Sequence, residues 1–237
     1  MNDNPFAAPA TRSSRGPQAL DISAAFSQGT QAFGRLWMPW SLGTLLSSLA
    51  LGLSLVLCLV PALVVGPAIV AGMYLFALRA VDDPERPPEL GVMFSGFEDI
   101  GRHVPPMLVL GLVFIVVQIP VQVVSFAAGY VSPQDLASQL LTSGVTTLLG
   151  MVYNAIVWTR FSLSVPLVVD RQIGALDALS TSWEATAGSW LQLALLNLVA
   201  GVLTVLGVIG CYVGLFVTAG WASAIQIAAY RQLVPKE

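Results

Sequence analysis

Charge is missing from long stretches of this chain, and that spacing constrains the fold more than any other feature. No Asp, Glu, Lys, Arg or His stands in the 43 residues between Arg35 and Arg79, or in the 46 between Glu184 and Arg231. A bilayer core about 30 Å thick is crossed by roughly 20 helical residues rising about 1.5 Å each. Each gap therefore predicts a hairpin of two spans, with turns marked by Pro61 in the first and by Gly207 and Gly210 in the second. The 31 residues between His103 and Asp135, and the 24 between Asp135 and Arg160, predict one span each. The polar break Ser132-Pro133-Gln134-Asp135 separates them. The expectation is an all-α bundle of six transmembrane helices, near residues 39–59, 62–81, 105–128, 137–160, 189–208 and 211–230.

Composition narrows the function classes. The chain is 56% hydrophobic and 10% charged, with a mean hydropathy of +0.78, whereas a soluble domain is about 25% charged. A net charge of -3 leaves no broad basic footprint for nucleic acid. One histidine and two cysteines are too few for a structural zinc site or a disulfide scaffold, so no metal and no cofactor is expected.

Orientation follows from the cations. All 10 Lys and Arg residues fall on the side shared by both termini, which predicts that both termini are cytoplasmic. Arg79, Arg160 and Arg231 close the second span of each hairpin and are expected as inner-face anchors, snorkelling to water. Residues 1–20 contain no apolar signal-peptide core and read as a disordered cytoplasmic tail rich in Pro, Ala, Ser and Arg.

A shift of 153 positions lays Ala25-Phe26-Ser27 over Ala178-Leu179-Ser180, Trp37 over Trp190, Leu42 over Leu195 and Cys58 over Cys211. A central unit opening at Met93-Phe94-Ser95 fits less closely. Three pseudo-repeated units are expected, over 21–81, 82–170 and 171–231, followed by a tail at 232–237. Each combines an amphipathic interfacial helix with a transmembrane hairpin. The apolar faces are Ile22, Phe26, Phe33 and Trp37; then Leu90, Met93, Phe94, Phe97, Ile100 and Val104; then Leu176, Leu179, Trp183 and Trp190. Trp37, Trp183 and Trp190 are the expected interfacial aromatics, and the helices themselves are expected to lie with their apolar sides on the bilayer. They either brace the bundle or offer a docking surface to a cytoplasmic protein.

The run Arg160-Phe161-Ser162-Leu163-Ser164-Val165-Pro166-Leu167-Val168-Val169-Asp170, followed by Ala175-Leu176-Asp177-Ala178-Leu179-Ser180-Thr181-Ser182-Trp183-Glu184 and Gly188-Ser189-Trp190, resembles a block in a large family of bacterial polytopic membrane proteins. That family is similar to the membrane domain fused to some glycerophosphodiester phosphodiesterases. Met93-Phe94-Ser95-Gly96-Phe97 resembles the family's segment before its third span, and Asn4-Pro5-Phe6-Ala7-Ala8-Pro9 an element that opens many small bacterial membrane proteins. The resemblance implies architecture, with no active site to carry over and no phosphodiesterase activity.

Candidate chemistry is sparse. His103 follows Asp99 by four residues, which permits a pair on one helix face, but no nucleophile is defined beside it. Cys58 and Cys211 read as small buried hydrophobes or as a periplasmic disulfide. Gln118, Gln122, Asn154 and Asn197 are the polar groups within the spans. They read as interhelical glue, worth about 0.6 kcal/mol per bond, or as the lining of one cavity. A small-xxx-small contact is expected at Gly210 and Gly214. Residues 161–169 carry no charge and predict a fourth helix that runs on, or bends at Pro166, and opens a cytoplasmic groove. The function expected from this inventory is a non-enzymatic scaffold or accessory subunit in the lipid bilayer, with a membrane or cytoplasmic protein as partner. The alternative is a transporter or lipid-handling protein whose units enclose a cavity.

Overall fold

The computed structural model describes residues 20–57, 59–83, 85–86, 88–131, 135–209 and 213–236. The 1–19 tail, Cys58, Cys211, Gly210 and the Ser132-Pro133-Gln134 break lie outside the described residues. Among those residues the protein is all helical, without a strand. The helices are α1 (Ile22–Leu57), α2 (Leu59–Asp82), a 3-10 helix (Leu90–Phe97), α3 (Ile100–Val131), α4 (Leu136–Phe161), α5 (Ser164–Arg171), α6 (Ala175–Thr186), α7 (Trp190–Ile209) and α8 (Val213–Leu233). Five stretches are long and apolar enough to cross a membrane: Ile22–Leu53, Leu63–Asp82, Ile100–Tyr130, Leu136–Arg171 and Trp190–Gly207.

Prolines set two of the breaks. Pro39 has no N–H for the Arg35 carbonyl and its ring crowds that turn; α1 accordingly loses helical dihedrals at Leu36 (φ -122, ψ 21). Pro166 does the same to Ser162, where α4 ends and the turn into α5 begins. The fourth helix thus bends ahead of Pro166. Ser164, Pro166, Leu167, Val168 and Val169 of α5 are all buried in the core, where α5 meets α2, α3 and α6. Pro61 falls in the first turn of α2, where a missing N–H costs no helical bond.

The three expected amphipathic helices pack in three different ways. In the first, Phe26 and Phe33 face protein and not lipid: both rings lie against Trp221 of α8, at 5.9 and 6.4 Å, and Trp221 donates to Thr30 Oγ1 at 2.9 Å. The second is a 3-10 helix over Leu90–Phe97, with threefold spacing that buries Met93 and Gly96 and leaves Phe94 exposed. It lies directly on α2: a Cβ at Gly96 would stand 1.9 Å from the Ala68 carbonyl oxygen, and one at Gly72 1.9 Å from that of Met93. In the third, α6 buries its small side, Ala175, Ala178, Ser182 and Thr186, and exposes Leu176 and Trp183.

The centre of the bundle is α8, flanked by α1 and α7. Ala222, Ala224, Ile225, Ile227, Ala228, Ala229 and Tyr230 are buried along it. Gly29 of α1 approaches so closely that a Cβ there would stand 2.5 Å from Ile225 Cα. Among the described residues α7 and α8 come close at Gly207 and Gly214, and the expected contact at Gly210 lies outside them.

Candidate functional site

The four expected cavity residues divide three to one. Gln118 and Gln122 lie one turn apart on α3, facing Asn154 on α4, and the three line a recess of about 480 Å³. Phe114, Ile115, Ile119, Val123, Val157 and Trp158 form its apolar walls. Gln118 Nε2 donates to Asn154 Oδ1 at 2.7 Å, Asn154 Nδ2 donates to the Gly150 carbonyl at 2.8 Å, and the Tyr153 hydroxyl donates to the Val117 carbonyl. Gln118 Oε1 is buried and accepts no hydrogen bond among the described residues. Ile115, Ile119 and Val123, at steps of four, are each more than half exposed, so the recess opens sideways from the helix pair. Asn197 is elsewhere: its Oδ1 accepts from Gln226 Nε2 at 3.3 Å, beside Tyr74 and Ser162, around a void of about 10 Å³.

The three arginines also have different surroundings. Arg79 is exposed. Arg160 lies over the Trp183 ring at 4.7 Å and reaches Thr186 Oγ1 at 3.5 Å. Arg231 is clamped between two carboxylates. Its Nε and Nη2 donate to Asp82 at 2.6 and 2.7 Å, and its Nη1 and Nη2 to Asp170 at 2.6 and 2.9 Å. The Tyr230 hydroxyl donates to the same Asp170 at 2.8 Å. The side chains of Arg231, Asp82 and Asp170 are 11%, 16% and 21% exposed, so this is a largely dry cluster. It joins the ends of α2, α5 and α8. Sequence reasoning marked Arg231 for its place at a helix end and passed over Asp82, Asp170 and Tyr230. The usable signal was that the acids, like the cations, crowd one side of the bundle.

Trp37, Trp183 and Trp190 are about half exposed. Trp37 follows the bend at Leu36 and Trp190 opens α7. His103 is buried and Asp99 exposed; the His103 backbone N–H donates to the Asp99 carbonyl at 3.1 Å, and the Asp99 carboxylate acts on the imidazole through its charge. Among the described residues no three of His, Cys, Asp and Glu are grouped to hold a metal ion. No family model, curated protein or solved structure matches the chain.

Proposed function

We propose that this protein is a non-enzymatic scaffold or accessory subunit of a membrane complex, and that the outward face of α3 and α4 receives its partner. One observation carries the reading: the amide-floored recess between α3 and α4 opens to the side, where a membrane protein meets lipid and other helices. Transport through a cavity enclosed by all units is less well supported, because Asn197 is separated from Gln118, Gln122 and Asn154. The sideways opening also favours one second reading, a lipid-handling protein that takes a bilayer lipid there.

In this reading the chain crosses a bacterial inner membrane six times with both termini cytoplasmic, α8 being the sixth span. The support is that the Asp21 N–H donates to Gln232 Oε1 at 3.0 Å, so the two ends of the described chain meet, which an even number of crossings requires. Two of the three proposed units have matching boundaries. The third unit's α6 begins at Ala175, 153 residues after Ile22 of α1, and Ser189, in the break before α7, lies 153 residues after the bend at Leu36. Membership of the bacterial family that residues 160–190 resemble belongs to the same proposal and rests on those motifs alone.

The test is a photocrosslinking residue at Gln122 in native membranes. Adducts with protein are expected. Adducts with lipid alone would overturn the scaffold reading in favour of lipid handling.

A further inference from the structure

A second polar place lies inside the bundle, around Asn197. We propose that the small void beside it is a binding site for one water molecule, which ties α7 to α2, to α8 and to the turn between α4 and α5. The inference is independent of the scaffold reading, which concerns the outward face of α3 and α4.

Asn197 stands seven residues beyond Trp190, about 10 Å into α7. Its Oδ1 accepts from Gln226 Nε2 at 3.3 Å, but its Nδ2 is buried and donates to no acceptor among the described residues. The contrast is Asn154, whose Nδ2 donates to the Gly150 carbonyl one turn back along its own helix. Asn197 makes no such bond to the Leu193 carbonyl. A buried amide hydrogen without an acceptor is costly, and hydrocarbon outside the helices offers it none.

The void measures about 10 Å³. That is the space of a single water and too little for an acyl chain or an organic solute. Its polar lining decides what binds. Besides Asn197 it consists of Tyr74, Ser162 and Gln226, and the other walls are apolar. Ser162 Oγ gives its hydrogen to the Thr159 carbonyl at 2.9 Å, and Gln226 turns an amide hydrogen to Asn197, so both have oxygen lone pairs to offer. The Tyr74 hydroxyl makes no hydrogen bond among the described residues. The occupant must therefore accept from Asn197 Nδ2 and donate to oxygens. Water does both, with the two to four polar partners that hold a buried water in place. A bare cation would face the amide hydrogen with no carboxylate on the lining, and an anion would face the oxygens.

The test is a crystal structure of the full chain, grown in a lipid mesophase and resolved well enough to show ordered water. One compact peak is expected about 2.7–3.2 Å from Asn197 Nδ2. Tyr74→Phe removes a hydroxyl and keeps the ring, so this variant should weaken or lose the peak and unfold at a lower temperature than the parent. In a dry void the same substitution would delete an unpaired hydroxyl, and the unfolding temperature would stay level or rise. An ordered Asn197 with no peak beside it overturns the inference, as does density continuous with a lipid chain or a Tyr74→Phe variant at least as stable as the parent. Should Tyr74→Phe fail to fold, the density in the parent alone decides. The scaffold reading is unaffected by any of these results, since crosslinking at Gln122 tests it separately.

Discussion

Arg231 ties α8 to both α2 and α5. Its guanidinium fork matches a carboxylate edge on two sides, so it binds Asp82 and Asp170 together, a geometry a lysine cannot reproduce. Replacing it with Met leaves two largely buried carboxylates without their counter-ion, and the expected loss is about 3 kcal/mol. SDS-induced unfolding in mixed micelles would measure it, and Arg231→Lys should recover only a small part. By contrast Lys236, 71% exposed and 3.5 Å from Asp82, should be replaceable by Ala with little change. The sequence singles out Arg231 because a cation closes the last apolar stretch. It cannot give the partners, since Asp82 lies 149 residues away and Asp170 61 residues away, and only the packing of α2 and α5 brings them together.

Among the elements, the glycines separate contact from mere presence. Gly96→Ala would place a methyl group on the Ala68 backbone and push the 3-10 helix off α2, at an expected cost of about 2 kcal/mol or more. Gly34→Ala meets open space on α1 and should be neutral or stabilising by up to about 1 kcal/mol. Paired thermal unfolding of the two variants would show opposite shifts. The start of α4 is capped by Asp135, whose carboxylate accepts from the Ser138 N–H at 2.9 Å and is held below its ordinary value of 3.8 by that backbone bond. Its contribution is complete above 3.8 and is lost as pH falls through the lower folded-state value. Asp135→Asn, which still caps, should remove that acid-sensitive step from a helicity titration. That the chain carries several long apolar helices was legible because absence of charge is a one-dimensional property. The 3-10 helix was not: Leu90, Met93, Phe94, Phe97, Ile100 and Val104 fit an α-helical stripe equally well. Only the close approach permitted by Gly72 and Gly96 selects the tighter form.

For the molecule as a whole, the meeting of Asp21 with Gln232 makes a prediction about sidedness. Reporters fused at either terminus should be active in the same compartment. A cysteine at residue 135, between α3 and α4, should react with an impermeant reagent from the opposite side. Opposite compartments for the two termini would remove the six-span reading. The pairing of Gln118 with Asn154 was within reach of the sequence as a list of polar residues in apolar spans. Their separation from Asn197 was not, because it depends on which faces of α3, α4 and α7 turn toward one another.

The placement of α8 bears on how the protein is made. It is made after every other described helix, yet Ala224 and Ile225 lie against the backbone of Gly29 in α1, the first of them. Every earlier helix must therefore wait in the translocon's vicinity with its inner face unfilled. The late helix closes the bundle as a keystone closes an arch, and a chain stopped short of Val213 should be cleared by membrane proteases as an unfinished product.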